Sequence, residues 1–230
     1  MARFMKGNNA MADKNIQVGT MTLGMVATNC YFVFDDNNID SNGKKHGVFF
    51  DPADKGGRIY ESLTEKGFVI DLILLTHGHF DHIGGAKELK ELTGAKIGCH
   101  EKEVAMCSDT HLNLSNTYGM NAKITPDITY KDGDIIEAAG LSFKVLFTPG
   151  HTSGGCCYYC EEGKFVIAGD TLFEESVGRT DFPTSSTSEL LRSINDKLFE
   201  LPDDTIVYTG HGEATTIEHE KEYNPFVLGW

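Results

Sequence analysis

The segment Thr76-His77-Gly78-His79-Phe80-Asp81-His82-Ile83-Gly84-Gly85 decides the fold, and it places three histidines and one aspartate within six positions. It follows an apolar run at 70–75, which predicts a buried strand, and it precedes residues 86–92, which have the pattern of an amphipathic helix. The four polar side chains therefore lie in a tight loop between a strand and a helix. Neutral imidazole and carboxylate groups suit zinc, manganese or iron, so the sequence predicts a metal-binding loop.

The spacing within this loop predicts two ions rather than one. In an extended chain, residues two apart point the same way, so His77 and His79 can bind one ion together. Asp81 and His82 lie past the bend and point elsewhere, which suits a second ion nearby. We also expect Asp81 to cap the helix that follows.

Three further residues share the same context as this loop, because each follows a β-rich apolar run and lies beside glycine: His151, Asp170 and His211. Together with the first motif they give seven candidate ligands: His77, His79, Asp81, His82, His151, Asp170 and His211. A tetrahedral zinc site takes three or four protein ligands, so seven are too many for one ion. The set predicts two ions that share a bridging carboxylate and leave a position open for water.

Composition limits the class of partner. The chain has 230 residues and a formal net charge of −14, which argues against nucleic acid or an anionic membrane as a partner. No run approaches the 18 or so apolar residues of a membrane helix, and the first ten residues lack a signal-peptide core. We therefore expect a cytoplasmic protein with reduced thiols. Residues 1–14 are predicted to be a flexible leader, and 15–230 a single domain.

The order of predicted elements is strands then helix, twice over, which favours an α/β (α+β) fold with two mixed β-sheets packed face to face and flanked by helices. Gly84 and Gly85 each cost about 1 kcal/mol in a helix interior relative to alanine, so their backbone is expected to pack closely against another segment. Residues 35–46 are predicted to be a long hairpin tip. Residues 108–127 are interpreted either as an active-site lid or as part of the core.

The motif His-x-His-x-Asp-His, followed in order by His151, Asp170 and His211, resembles the metallo-β-lactamase superfamily, whose fold is an αββα sandwich. The resemblance covers nearly all of residues 15–230. Segments 148–154, 169–173 and 210–212 look like the glyoxalase II (hydroxyacylglutathione hydrolase) branch. Segment 178–183 is similar to the short glyoxalase II-like proteins that lack an extra C-terminal domain.

The resemblance implies a role for each ligand: His77, His79 and His151 hold one ion, Asp81, His82 and His211 hold the other, and Asp170 bridges them. It also implies that Arg179 binds substrate, although a loop salt bridge is an equal interpretation of this arginine. Asp181 stands where the family has a tyrosine. Because the glutathione-binding domain of the full enzymes is not expected here, we predict a small-molecule thioester substrate and leave its thiol carrier open.

The chemistry that follows is hydrolysis. Two metals about 3.5–4 Å apart lower the pKa of a bound water to about 7, and the bridging hydroxide would attack the thioester carbonyl. One metal would stabilise the oxyanion, and Asp81 is the expected catalytic residue, because it could orient the hydroxide. A thiolate leaving group with a pKa near 8.5 needs little help from a general acid. Zinc is the expected metal, with iron or manganese as alternatives.

Other functions fit parts of the same pattern. A sulfur (persulfide) dioxygenase of this superfamily uses one iron held by two histidines and an aspartate, and it also has a Gly-Arg-Thr-Asp-Phe stretch. A nuclease is disfavoured by the acidic charge, and a non-enzymatic metal-binding module is the remaining class. Cys157 and Cys160 suggest a redox or zinc pair, but their strand pattern favours buried thiols. The oligomeric state stays open.

Overall fold

The computed structural model describes residues 14–228, so the predicted leader, apart from Lys14, lies outside the described residues. The strands are β1 Ile16–Leu23, β2 Thr28–Ile39, β3 Lys45–Phe50, β4 Phe68–Leu74, β5 Lys96–His100, β6 Ile128–Tyr130, β7 Ile135–Ala138, β8 Leu141–Phe147, β9 Cys156–Cys160, β10 Phe165–Gly169, β11 Leu172–Phe173, β12 Ser176–Val177, β13 Ile206–Thr209 and β14 Thr215–Thr216. The α-helices are α1 Gly56–Thr64, α2 Phe80–Ile83, α3 Ala86–Thr93, α4 Val104–Ser108, α5 Thr187–Ser193 and α6 Ile217–Tyr223. Within residues 14–228, no helix has the length and apolar character that crossing a membrane requires.

Two six-stranded sheets form the body of the molecule, in the orders β1-β2-β3-β4-β5-β6 and β14-β13-β10-β9-β8-β7. In the first sheet β3, β4, β5 and β6 run parallel, whereas β1 and β2 pair antiparallel. In the second sheet β10 and β13 run parallel, and the other pairs are antiparallel. Both sheets are therefore mixed, as the sequence predicts.

The side chains of each strand alternate between two hydrophobic layers. Phe50 of β3 packs with Phe143 and Tyr158 between the sheets, whereas its neighbour Phe49 faces the layer beneath α1 and α3. A third cluster joins the second sheet to α5 and α6 through Leu190 and other residues. Successive strand residues point to opposite faces, so a strand that is buried on both faces has a continuous apolar sequence. The result is the predicted αββα sandwich.

Ser186 caps α5 by accepting a hydrogen bond from the backbone N–H of Glu189. Two local predictions are wrong. The hairpin tip predicted at 35–46 is wrong, because β2 continues through Ile39 and the turn is shorter. Asp81 is not a helix cap, because α2 begins one residue earlier, at Phe80.

The cysteine cluster lies within β9, and all six cysteines of the chain are free and buried. Cys157 packs in the layer beneath α5, whereas Cys160 packs between the sheets. Three positions apart on a strand, the two thiols point to opposite faces and cannot bind one zinc ion or form a disulfide with each other. The interpretation as buried thiols is therefore confirmed.

The two glycines after the metal-binding loop pack directly against the segment that follows β3. A Cβ at Gly84 would lie 2.3 Å from the Ala53 carbonyl oxygen, and one at Gly85 would lie 2.9 Å from the Asp54 carbonyl oxygen. Gly84 has an ordinary helical φ of −57°, so the constraint there is space rather than backbone conformation. This close approach confirms the packing expected from the sequence.

We predict that Gly84→Ala destabilises the protein by about 1–3 kcal/mol, because the new methyl group overlaps a backbone oxygen and forces the loop outward. Denaturant unfolding of the metal-loaded and metal-free protein measures the change. Gly19→Ala is the matched control, since its Cβ would meet nothing closer than 3.7 Å on an exposed strand. Equal stability of the two variants would contradict the prediction.

Candidate metal centre

The candidate ligands follow the carboxyl ends of neighbouring parallel strands. The loop with His77 and His79 follows β4, Asp170 follows β10, and His211 follows β13. Loops at the carboxyl ends of parallel strands meet at one edge of a sheet, which is where open α/β sheets bind ligands. The two sheets present these edges on the same side of the molecule, so the loops converge.

Asp51 holds the metal-binding loop at its start. Its carboxylate accepts hydrogen bonds from the backbone N–H of Thr76 at 2.8 Å and from the Thr76 hydroxyl at 2.6 Å. His79 is extended, with φ −61° and ψ 148°, directly before α2 begins. His77 and His79 therefore precede the bend and Asp81 and His82 follow it, as the sequence predicts.

All seven sequence-predicted ligands are brought together. Their potential ligand atoms form three groups in which every pair lies within 4.8 Å: His77, His79 and His151; His77, His82 and Asp170; Asp81, His82 and His211. None of these groups within residues 14–228 includes His46, His100, His111 or His219.

Asp170 lies between the two outer groups. Its Oδ1 is 3.3 Å from His82 Nε2, and its Oδ2 is 3.5 Å from both His151 Nε2 and His211 Nε2. On the other side of the cluster, His79 Nδ1 and His151 Nε2 are 2.9 Å apart. The two oxygens of Asp170 thus face ring nitrogens from both groups, which is the arrangement that a bridging carboxylate needs.

Several atoms at this centre are buried without a hydrogen-bond partner: the Nε2 atoms of His77, His79 and His82, and Oδ1 of Asp170. Leaving a buried polar atom unpaired costs about 1–3 kcal/mol, so a cluster of such atoms indicates a missing partner. Divalent metal ions would satisfy them, since imidazole nitrogens and carboxylate oxygens are the ligands of zinc and iron. The donor set therefore fits a metal centre.

Protonation suits metal binding at His77 and His79. Burial lowers the pKa of His79 to about 3 and holds the pKa of His77 well below its usual value, so both rings are neutral at pH 7. Burial would raise the pKa of Asp81, but the His82 and His211 rings outweigh it and lower that pKa to about 2. Neutral imidazole and ionised carboxylate are the forms that bind metals.

His82 and His211 differ from these two rings. Although burial opposes it, Asp81 and Asp170 raise the pKa of His82 well above its usual value and that of His211 to about 10. Metal binding by His82 and His211 would therefore displace protons.

A family model for the metallo-beta-lactamase superfamily matches residues 23–211. The chain belongs to this superfamily. It is 37% identical over 217 residues to "Probable metallo-hydrolase YqgX" of Bacillus subtilis, covering 91% of this chain and 97% of that one. It is 35% identical over 203 residues to "Hydroxyacylglutathione hydrolase GloC" of Haemophilus influenzae, covering 86% of this chain and 92% of that protein.

Three solved structures have a similar fold. BLEG-1 B3 metallo-beta-lactamase is 32% identical with a TM-score of 0.86, over 93% of this chain and 100% of that one. TTHA1623 in a di-iron-bound form is 32% identical with a TM-score of 0.79, over 91% and 100%. ETHE1 from Myxococcus xanthus is 28% identical with a TM-score of 0.74, over 93% and 85%.

Residues that the sequence analysis missed orient the histidines of this metallo-beta-lactamase centre. Asp51 accepts from His82 Nδ1 at 2.9 Å, and the backbone carbonyl of Arg179 accepts from His151 Nδ1 at 2.8 Å. Thr76 Oγ1 lies 3.1 Å from His77 Nδ1. In each case one ring nitrogen is held and Nε2 is left for an ion, the usual pattern of metal-binding histidines. The Asp-Pro stop after β3 is the only sequence signal for Asp51.

A cleft of about 260 Å³ opens onto the centre. It is lined by Val26, His79, Phe80, Asp81, Leu114, Tyr118, Arg179, Phe182 and His211. Arg179 donates from Nε and a terminal nitrogen to Asp181 at 2.9 and 2.7 Å, and its guanidinium lies 4.3 Å from the Phe182 ring centre. In the 108–127 segment, Leu114 and Tyr118 line the cleft and Ile124 packs in the core, so the core role is confirmed and the role as a lid stays a prediction.

We predict that Asp51→Asn weakens metal binding about 10- to 100-fold, because the amide cannot accept from both Thr76 and His82 as the carboxylate does. The backbone at this position is left-handed, with a φ of 48°, and asparagine tolerates this conformation. The variant therefore removes the negative charge and one acceptor oxygen without straining the backbone. Chelator competition measures the affinity. Asp71→Asn is the control, since Asp71 pairs with His46, at 2.6 Å, and not with any candidate ligand. Unchanged affinity in Asp51→Asn would contradict the prediction.

Proposed function

We propose that this chain is a metal-dependent thioester hydrolase of the glyoxalase II type, which cleaves S-2-hydroxyacylglutathione or a related thiol ester with water. The observation that carries the proposal is the cluster of seven ligand-type side chains, several with unpaired buried atoms, at the base of a cleft. The Haemophilus influenzae relative, named as a hydroxyacylglutathione hydrolase, supports the same reaction class.

In this proposal His77, His79 and His151 hold one divalent ion, and Asp81, His82 and His211 hold the other. Asp170 bridges the two, which is consistent with its oxygens facing ring nitrogens of both groups. Zinc is the metal we propose. Iron or manganese would suit the same donors, and one structural relative is described in a di-iron-bound form.

Two bound divalent ions supply a nucleophile by lowering the pKa of water to about 7, and they polarise the substrate carbonyl. The chain's own contribution is orientation. Asp81 is the proposed catalytic residue, since its Oδ2 accepts from the Thr28 hydroxyl at 2.8 Å and lies 3.3 Å from His211 Nε2. These contacts fix the carboxylate beside the cleft, where it can orient the attacking water.

The side chains around the cleft place the substrate. Phe80, Leu114 and Phe182 give apolar walls against which an acyl group can pack. Arg179 is the proposed substrate-binding residue, because its guanidinium borders the same cleft and is largely exposed. An exposed ion pair with Asp181 contributes little stability, so the arginine can exchange it for a substrate carboxylate.

A sulfur dioxygenase with one iron is the alternative. Convergence of all seven residues supports two ions, but His82 and His211 do not exclude a centre with one iron. The chain is 28% identical to ETHE1, and the related TTHA1623 is described in a di-iron-bound form. An iron-dependent reaction is therefore the alternative against which hydrolysis must be tested.

We predict two bound zinc ions per chain, and hydrolysis of S-lactoylglutathione or another thioester that stops on chelation and returns with zinc. His79→Ala should lower the rate at least about 100-fold, because it removes one of three imidazoles from the first group. His219→Ala is the control, since the His219 ring pairs with the exposed Glu175 and packs on Tyr223, and it belongs to none of the ligand groups. Metal analysis and thioester assays measure both.

Two outcomes would end this proposal. Hydrolysis by His79→Ala protein stripped of metal would show that the centre is not responsible. One iron per chain, with oxygen uptake on addition of a persulfide and no thioester turnover, would establish the dioxygenase instead.

We predict that Arg179→Met raises KM about tenfold for a thioester whose thiol carries a carboxylate, because a charge-assisted hydrogen bond is lost. We expect kcat to change little, since Arg179 lies at the rim of the cleft. Steady-state kinetics measure both constants. Arg192→Met, at an exposed position on α5, is the control. A fall in kcat with unchanged KM would contradict the assignment of Arg179 to substrate binding.

A further inference from the structure

Glu103 is a fully buried carboxylate next to the metal centre that the proposed reaction does not use. It ends the short turn Glu101–Glu103 after β5. One of its oxygens accepts from the backbone N–H of Gly78 at 2.8 Å, and the other accepts from the Thr152 hydroxyl at 3.1 Å. The backbone N–H of Gly154 also lies close to the carboxylate and favours its ionised form. Within residues 14–228, no ion pair includes Glu103.

The donors to Glu103 come from the two loops that carry the first group of ligands. Gly78 lies between His77 and His79, and Thr152 directly follows His151. These loops belong to different sheets, because the first follows β4 and the second joins β8 to β9. A single carboxylate thus sets the separation of two loops whose histidines must converge on one ion.

Two glycines allow the loops to close on this part of the chain. A Cβ at Gly154 would lie 2.4 Å from both the backbone nitrogen and the Oε2 of Glu103. A Cβ at Gly78 would lie 3.0 Å from the backbone nitrogen of Cys107, in the helix that follows Glu103. Neither glycine has a positive φ, so glycine is required there for space rather than for an unusual backbone conformation.

Packing alone does not account for a glutamate at this position. Burying a carboxylate without a cationic partner is costly, and an apolar side chain of similar size would fill the same volume without that cost. Only an acceptor, however, can satisfy donors from both loops at once. The hydrogen bonds of Glu103 therefore indicate a role in holding the loops at a fixed distance.

We propose that Glu103 is a positioning residue for the metal centre: its carboxylate ties the His77–His79 loop to the His151 loop and so sets the geometry of the ion that these three histidines bind. This inference rests on the metal centre of the proposed function. It assigns Glu103 no contact with substrate and no proton transfer.

The test measures release of two zinc or cobalt ions per chain against increasing chelator, with thermal unfolding of the metal-free protein alongside. In Glu103→Ala we expect one of the two binding steps to weaken about 10- to 100-fold while the other is unchanged. Glu103→Gln should lie between Glu103→Ala and the wild type, because its one oxygen can still accept from Gly78 while its amide opposes the Gly154 N–H. The cobalt absorption spectrum should change only for the weakened step.

Glu220→Ala is the matched control. Glu220 is also fully buried, and it accepts from Thr215, Asn224 and the backbone of Glu175 at 2.5, 2.7 and 3.0 Å. This variant should lose stability without altering either binding step. Thr152→Val removes one donor to Glu103 and gives a milder test should Glu103→Ala fail to fold; we expect the same step to weaken.

The outcomes separate this inference from the proposed function. Wild-type protein that binds two ions, together with Glu103→Ala or Thr152→Val protein that binds both as tightly, would overturn the role of Glu103 and leave the metal centre intact. An equal loss of metal in Glu220→Ala would also overturn it, because any buried carboxylate would then have the same effect. Wild-type protein that binds no metal would overturn the proposed function, and this inference with it.

Discussion

The metal centre depends on how the two sheets are fixed against each other, because its ligands come from both. Directly below the metal-binding loop, the backbone N–H of Cys156 donates to the Thr76 carbonyl at 2.9 Å, and the Tyr158 hydroxyl donates to the Leu75 carbonyl at 2.8 Å. Both bonds join β9 of one sheet to the end of β4 in the other. Buried bonds of this kind are costly to break, so they hold the two edges in one register. Together with the hydrogen bonds of Glu103, they fix the histidines of one sheet relative to those of the other.

Acidic residues at this edge of the two sheets make it suitable for binding cations. Asp51 follows β3, the aspartate of the metal-binding loop follows β4 and Glu103 follows β5, so three adjacent parallel strands each deliver a carboxylate to the same edge. Asp51 orients His82, and Glu103 joins two loops. Neither carboxylate needs to bind an ion to have this effect. Burial raises the pKa of Glu103 to about 7, which shows how little else compensates its charge. The centre is thus built as much by the groups behind the ligands as by the ligands.

The sequence predicts the parts of this structure that depend on periodicity and on dense local motifs. The strand before Thr76 is apolar throughout because both of its faces are buried, and three histidines within one short loop strongly favour a metal site. Asp51 and Glu103 were missed because each is a lone acidic residue whose partners are distant in sequence. The extent of β2 was missed because Asp35, Asn37 and their neighbours are polar turn formers, yet β2 resumes its pairing with β3 at Ile39, beyond an irregular stretch. Long-range hydrogen bonds, which no window of sequence contains, account for the failure to find Asp51 and Glu103.

The size of the cleft limits which part of a substrate the protein can select. At about 260 Å³ it lies below the usual range of roughly 300–1,000 Å³ for sites that enclose a whole ligand. In the proposed reaction, an acyl group and the adjoining sulfur would pack against Phe80 and Phe182, and a peptide-sized thiol carrier would extend over the surface. There it would meet Arg179, whose guanidinium is paired with Asp181. Under the proposed function, the apolar walls of the cleft would therefore select the acyl group, whereas the exposed ion pair at its rim would select the carrier.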